Sequence, residues 1–160
     1  MGTHYRGSRH EINVLNAYIK LMRAANSITG RLAKGLKPTS LTMTQFSILE
    51  TLYHLGPMNQ RTLGAKVLKS SGNITLVVDN LEKSGLVKRV RSRSDRRFIT
   101  VSLTKKGKET ISEIFPDYLF LIVNEMEVID DNELKTLENL CKILGLHKRE
   151  NDKLILEKSY

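Results

Sequence analysis

Residues 70–107 read SSGNITLVVDNLEKSGLVKRVRSRSDRRFITVSLTKKG, and within them the hydrophobic pattern switches from helical to strand spacing. With successive residues placed about 100° apart, Ile74, Val77, Val78 and Leu81 share one face of a helix. Gly72, Thr75, Leu76, Asp79 and Lys83 take the opposite face, with Asn73 and Asn80 at its flanks. Such a helix packs down on its apolar side and offers hydrogen-bonding groups outward. Gly85 ends it. Residues 86–90 and 98–103 are then β-prone, Ile99, Val101 and Leu103 alternating with Thr100 and Ser102. The polar run RSRSDRR (91–97) between them makes this a hairpin with a basic tip.

The same region carries the charge of the chain. Residues 83–108 contain ten Lys or Arg and one acid, Asp95. Taken from 26 basic and 17 acidic residues in all, they leave 16 of each elsewhere, so the net charge of +9 belongs to this stretch. A field this concentrated holds something anionic, and a phosphate backbone is the first candidate. A solvated surface that only maintains solubility is the plain alternative.

Toward the N-terminus the spacing predicts a long helix over residues 9–34. Ile12, Leu15, Ile19 and Met22 form one stripe; Val14, Tyr18, Leu21, Ala25, Ile28 and Leu32 form a second. Together they exceed what one small domain covers, which favours burial against a second subunit. Thr42 and Gln45 have capping-box spacing for a second helix carrying Phe46, Leu49, Leu52 and Tyr53 and stopped by Gly56-Pro57. Asn59 caps a short third helix with Leu63, Val67 and Leu68. Residues 69–72 read as a tight turn into the fourth, capped by Ser70 or Ser71. Downstream, Thr104 caps a helix to about residue 127 that Pro116 is expected to kink or split. Asp130 with Glu133 caps a last helix striped by Leu134, Leu137, Cys141 and Leu144 and ended by Gly145. The polar stretch 147–160 is expected to be frayed or weakly helical.

At 160 residues, 40% of them apolar, the chain reads as one domain with its own core. No apolar run approaches the roughly 20 residues that span a bilayer, and the N-terminus has no apolar signal segment, so no membrane is expected. One cysteine forms no intrachain disulfide, which fits a reducing cytoplasm.

Two short helices, a tight turn, a helix with a polar outer face and a basic hairpin make a winged helix-turn-helix. The fold class is mainly α with a small β-hairpin wing, and double-stranded DNA is the expected partner. The fourth helix fits the major groove, where each base pair shows its own donor and acceptor pattern. Gly72 lets the backbone approach phosphates at a helix N-terminus. Leu76, odd in water, can touch a thymine methyl. The hairpin projects sideways, where an arginine enters the narrow minor groove.

On these residues the chain resembles the multiple-antibiotic-resistance regulator (MarR) family. The matches are Asp95-Arg96-Arg97 in the wing, Leu81 followed by Gly85-Leu86-Val87, and Leu103-Thr104 with Gly107; the helix order extends the likeness loosely over residues 12–146. The resemblance implies a homodimer held by N- and C-terminal dimerisation helices (9–35 and 106–146), with the winged helix-turn-helix at 42–104 and a polar tail at 147–160. Each protomer would place its fourth helix in a major groove of a palindromic operator. The resemblance also implies that Asp95 orients Arg97 into the minor groove, while Arg93 and Arg96 support on phosphates; an ordinary hairpin ion pair is the rival, and both can hold. Ser70, Ser71, Gly72, Asn73, Thr75 and Leu76 are expected to face bases and nearby phosphates, although each polar one alone would serve equally as a cap or helix surface. Lys88, Arg89 and Lys105 read as phosphate or solvent contacts. Members typically repress transcription, and many release DNA when a small phenolic or lipophilic effector binds or a cysteine is oxidised. Tyr18, Met22, Phe46 and Tyr53 could reach an effector cleft and would equally serve as core.

Other classes find little in the sequence. It has no phosphate-binding glycine loop, no H-E-x-x-H and no cysteine placed with a histidine, so no enzyme and no cofactor are expected. His4, His10, His54 and His147 are scattered, so no metal site is expected. Cys141, on an apolar stripe, reads as a buried structural thiol rather than a sensor. An RNA or membrane-surface binder would want exposed stacking aromatics or a basic amphipathic helix with bulky anchors. The alternatives kept are a ligand- or protein-binding dimer and a non-specific nucleic-acid binder, either one without operator-specific regulation.

Overall fold

The computed structural model describes residues 4–67, 71–91 and 99–147, and divides into two compact units after Leu121. Ser8 opens α1 (Arg9–Gly35): its hydroxyl accepts from the Glu11 amide, and the Glu11 carboxylate accepts from the Ser8 amide. These bonds favour the ionised acid and hold the Glu11 carboxyl below its usual range. None of the 27 residues of α1 is buried, and Val14, Tyr18, Leu21 and Met22 stand exposed. A single 3-10 turn (Lys37–Thr39) then leads into α2.

In α2 (Met43–Leu55) the capping box of Thr42 and Gln45 is formed as the spacing predicts. Phe46, Ile48, Leu49 and Leu52 are buried, and Gly56, at φ +78°, turns the chain where a side chain would be strained. Strand β1 (Met58–Asn59) precedes α3 (Gln60–Lys66), whose cap is Asn59 accepting from the Thr62 amide. Helix α4 (Ser71–Lys83) takes in the last two residues of the expected turn, so Ser71 and Gly72 are already helical. The rest of the expected turn, and Leu68, lie outside the described residues. Strands β2 (Val87–Arg91) and β3 (Ile99–Leu103) pair antiparallel, Val87 opposite Leu103 and Arg91 opposite Ile99. The sheet has three strands, not two, in the order β1-β3-β2, because Met58 pairs with Val101 and Asn59 with Thr100. Two residues are too few to show a period.

The core sits under this sheet. Ile48, Leu49, Leu63, Val78, Leu81, Val101 and Ile111 are fully buried, with Ile74 at 1% exposure beside them. Each such side chain contributes about 1.5–3 kcal/mol. The turn from α4 to β2 is a Schellman cap: the Leu86 amide donates to the Leu81 carbonyl, the Gly85 amide to the Glu82 carbonyl, and Gly85 takes φ +72°.

Helix α5 (Lys105–Met126) starts where the Thr104 hydroxyl accepts from the Gly107 amide and donates to the Gly85 carbonyl. A Cβ on Gly107 would collide with the Leu86 carbonyl. Of the two outcomes expected at Pro116, a kink or a split, the split does not occur: α5 runs through it. Pro116 and Ser112, whose carbonyl it leaves without an amide, are both exposed, so water can serve that carbonyl. Helix α6 (Asp131–Leu146) has its capping box at Asp130 and Glu133. It runs through Gly145 rather than ending there, and His147 takes the left-handed cap at φ +52°. No residue of α6 is buried, so Cys141 is exposed rather than buried, together with Leu137, Leu140 and Leu144. Residues 148–160, most of the expected tail, lie outside the described residues.

Candidate nucleic-acid interface

Burial of Ile74, Val78 and Leu81 fixes the rotation of α4 about its axis. Its remaining surface divides into two stripes. Asn73, Leu76, Asn80 and Lys83 are exposed, and Leu76 is 62% exposed although apolar. Thr75, Asp79 and Glu82, spaced four and three apart, lie a quarter turn away and meet β2 and α3.

At the centre of that second stripe is Arg89, whose side chain is only 19% exposed. Its Nη1 donates to Asp79 Oδ1 at 2.5 Å and to Glu82 Oε2 at 3.0 Å. Nε donates to Gln60 Oε1 at 3.2 Å, and Nη2 to the Thr75 carbonyl at 3.3 Å. The other Glu82 oxygen accepts from the Arg89 amide at 2.8 Å. Gln60 completes the ring by donating from Nε2 to Thr75 Oγ1 at 2.9 Å. Gln60, Thr75, Asp79, Arg89 and Ile99 line a cavity of about 420 Å³. The expectation that Arg89 meets phosphate or solvent is therefore corrected: its guanidinium is turned into the protein by two carboxylates. Lys88 is exposed, and Lys105 is 93% exposed with only a 3.8 Å contact to Glu109, an ion pair worth little in water.

Of the residues expected to touch DNA, Ser71 and Gly72 occupy the first turn of α4, and Asn73 and Leu76 face outward beside them. Thr75 is also exposed, but its hydroxyl is engaged by Gln60. Ser70 and the wing residues Arg93, Asp95, Arg96 and Arg97 lie outside the described residues. Gln60 was not singled out by the sequence, nor were Asp79 and Glu82 as partners of Arg89. The one available signal was the 75–79–82 stripe, seven residues before an arginine.

Of the four residues considered for an effector cleft, Tyr18 and Met22 are exposed on α1, Tyr53 is half-buried and Phe46 is core. The Phe46 ring packs on Tyr118 at a centroid distance of 4.2 Å, and the Tyr118 hydroxyl donates to Met43 Sδ at 3.2 Å. Burial, helped by the Glu50 carboxylate, pushes the Tyr118 phenol up. Beside it a cavity of about 170 Å³ is lined by Leu36, Pro38, Ile114, Tyr118 and Leu121, with Glu113 and Asp117 also on its wall. Among the described residues no three His, Cys, Asp or Glu side chains are grouped as a metal needs, and no helix is long and apolar enough to cross a membrane.

Three packed helices, one of them showing a free outer stripe, and a basic hairpin define a winged helix-turn-helix DNA-binding protein. A MarR family model matches residues 41–99. The chain is similar to the HTH-type transcriptional regulator MhqR of Bacillus subtilis (strain 168), 35% identical over 136 residues that cover 85% of this chain and 94% of that one. In fold it is similar to AbsC, a MarR family transcriptional regulator from Streptomyces coelicolor, with TM-score 0.80, 23% identity, and 89% and 97% of the two chains covered. It is also similar to a mutant MarR from E. coli complexed with operator DNA, with TM-score 0.75, 21% identity, and 82% and 95% covered. The chain belongs to the MarR family of transcription regulators, which are not enzymes.

Proposed function

We propose that the protein is a cytoplasmic homodimeric repressor that binds a palindromic operator. The observation that carries this is Leu76: an apolar side chain held 62% exposed in the middle of a helix whose rotation the core has fixed. Contact with a thymine methyl would remove it from water, while Ser70, Ser71, Gly72, Asn73 and Thr75 meet base edges and phosphates. Arg97, oriented by Asp95, enters the adjacent minor groove, and Arg93 and Arg96 hold phosphates. The exposed apolar stripes of α1 and α6 support a dimer, which sets half-sites about 10 base pairs apart. A small lipophilic or phenolic effector would release the DNA. The 170 Å³ cavity beside Tyr118 has room for one ring, and the carboxylates on its wall favour a neutral ligand over a phenolate.

A binding titration at two salt concentrations tests this, comparing DNA from upstream of the protein's own gene with random duplex. The expected result is dimer-stoichiometric binding that prefers the upstream DNA and falls steeply with salt. Equal, salt-fragile binding to both would contradict it. In the same assay Arg97→Ala should cost about 1–3 kcal/mol on the preferred duplex; unchanged affinity in a folded dimer removes Arg97 from the groove.

A further inference from the structure

We propose that Arg89 is a positioning residue for DNA recognition: it sets the preference for one DNA sequence over another without touching DNA. The inference rests on the operator-binding role proposed above. Four of the five N–H groups of an arginine side chain are already used here, on Gln60, Asp79, Glu82 and the Thr75 carbonyl. Two carboxylates face one guanidinium, so the cluster carries no surplus positive charge to offer a phosphate.

What the cluster does is join three elements. Arg89 stands on β2, the strand leading to the wing; Asp79 and Glu82 stand on α4; Gln60 is the first residue of α3. The Glu82 carboxylate grips both the backbone amide and the guanidinium of Arg89, so neither the strand nor the helix can slide without breaking a charge-assisted bond. Arg89 also decides which way the Gln60 amide points. Because Nε donates to Gln60 Oε1, the amide nitrogen must face Thr75, and it does, at 2.9 Å. A fork of fixed, planar donors is thus translated into the placement of a hydroxyl on the edge of the outward stripe. An ammonium has the charge but not the fork.

A phosphate contact and a positioning residue behave differently under substitution. The test takes Arg89→Lys, Arg89→Ala and Gln60→Ala in the full chain. The probes are a 25-base-pair duplex enriched from a random pool by the wild-type protein and a shuffled duplex of the same composition. Affinity is measured for both across a salt series, with circular dichroism confirming folding. As positioning residues, Arg89→Lys and Arg89→Ala should both lose about tenfold on the enriched duplex, the range found for residues acting at one remove. Shuffled-duplex binding and the salt slope should stay unchanged. Gln60→Ala, which leaves the ion pairs intact, should lose preference by a few-fold. If Arg89→Ala weakens both duplexes equally and lowers the salt slope by about one, and Arg89→Lys restores them, Arg89 is a phosphate contact and the proposal is overturned. Should Arg89→Ala fail to fold, retained preference in Arg89→Lys and Gln60→Ala overturns it equally. Failure of the wild-type protein to enrich any duplex overturns the operator-binding role itself, and this inference with it.

Discussion

Helix α2 spends 13 residues and buries five of them, whereas α1 and α6 spend 27 and 16 and bury none. All three carry apolar stripes at helical spacing. In α2 the stripe meets α4, the sheet and Tyr118 of the same chain, so its energy is internal. On α1 and α6 the side chains of Tyr18, Met22, Leu140 and Leu144 are exposed. An apolar period reports that a face is to be covered; it does not say by what.

The contrast breaks most sharply under truncation. Leu49→Ala, at a fully buried position, should lower unfolding free energy by about 2–5 kcal/mol, and by the same amount at every protein concentration. Urea melts at two concentrations a hundredfold apart check both halves of that statement. With α6 in the proposed dimer interface, Leu140→Asp with Leu144→Asp should leave the circular dichroism of the winged core intact and raise the dimer dissociation constant at least about tenfold, near 1.4 kcal/mol. Sedimentation velocity would show it; an unchanged dimer would mean that α6 faces something else. Asp130→Ala removes a capping box and should cost about 1 kcal/mol, seen as faster amide exchange in the first turn of α6 and little change in α2. The smallest effect is a pH response of α1. Hydrogen bonds from Ser8 lower the Glu11 pKa, so this cap contributes above the usual carboxylate value and is lost as pH falls through the folded value. Fraying of the first turn on acidification, absent in Glu11→Gln, is the outcome to look for by amide exchange.

Most of the fold was legible because its signals are local. Thr42, Asn59, Thr104 and Asp130 each cap a helix through a bond to a residue three positions on, a distance that sequence spacing shows directly. The buried face of α4 follows from the spacing of Ile74, Val78 and Leu81. Strand β1 was invisible because its partner, β3, is some forty residues away and the strand is two residues long. Arg89 was misjudged for the same reason. Counted along the chain it belongs to a run of positive charge; in space it answers Asp79 and Glu82, which lie before that run begins. Charge counted by position overstates the field wherever folding brings in acids from outside the window.

Gly107 has a meaning for inheritance as well as for packing. The first turn of α5 passes so near the Leu86 carbonyl that only a hydrogen fits between them. Every amino acid reached from a glycine codon by one base change carries a Cβ, so each missense change at this codon drives an atom into that carbonyl. Alleles at position 107 should therefore be purged as strictly as those at Leu81, although the residue contributes no side chain to the core.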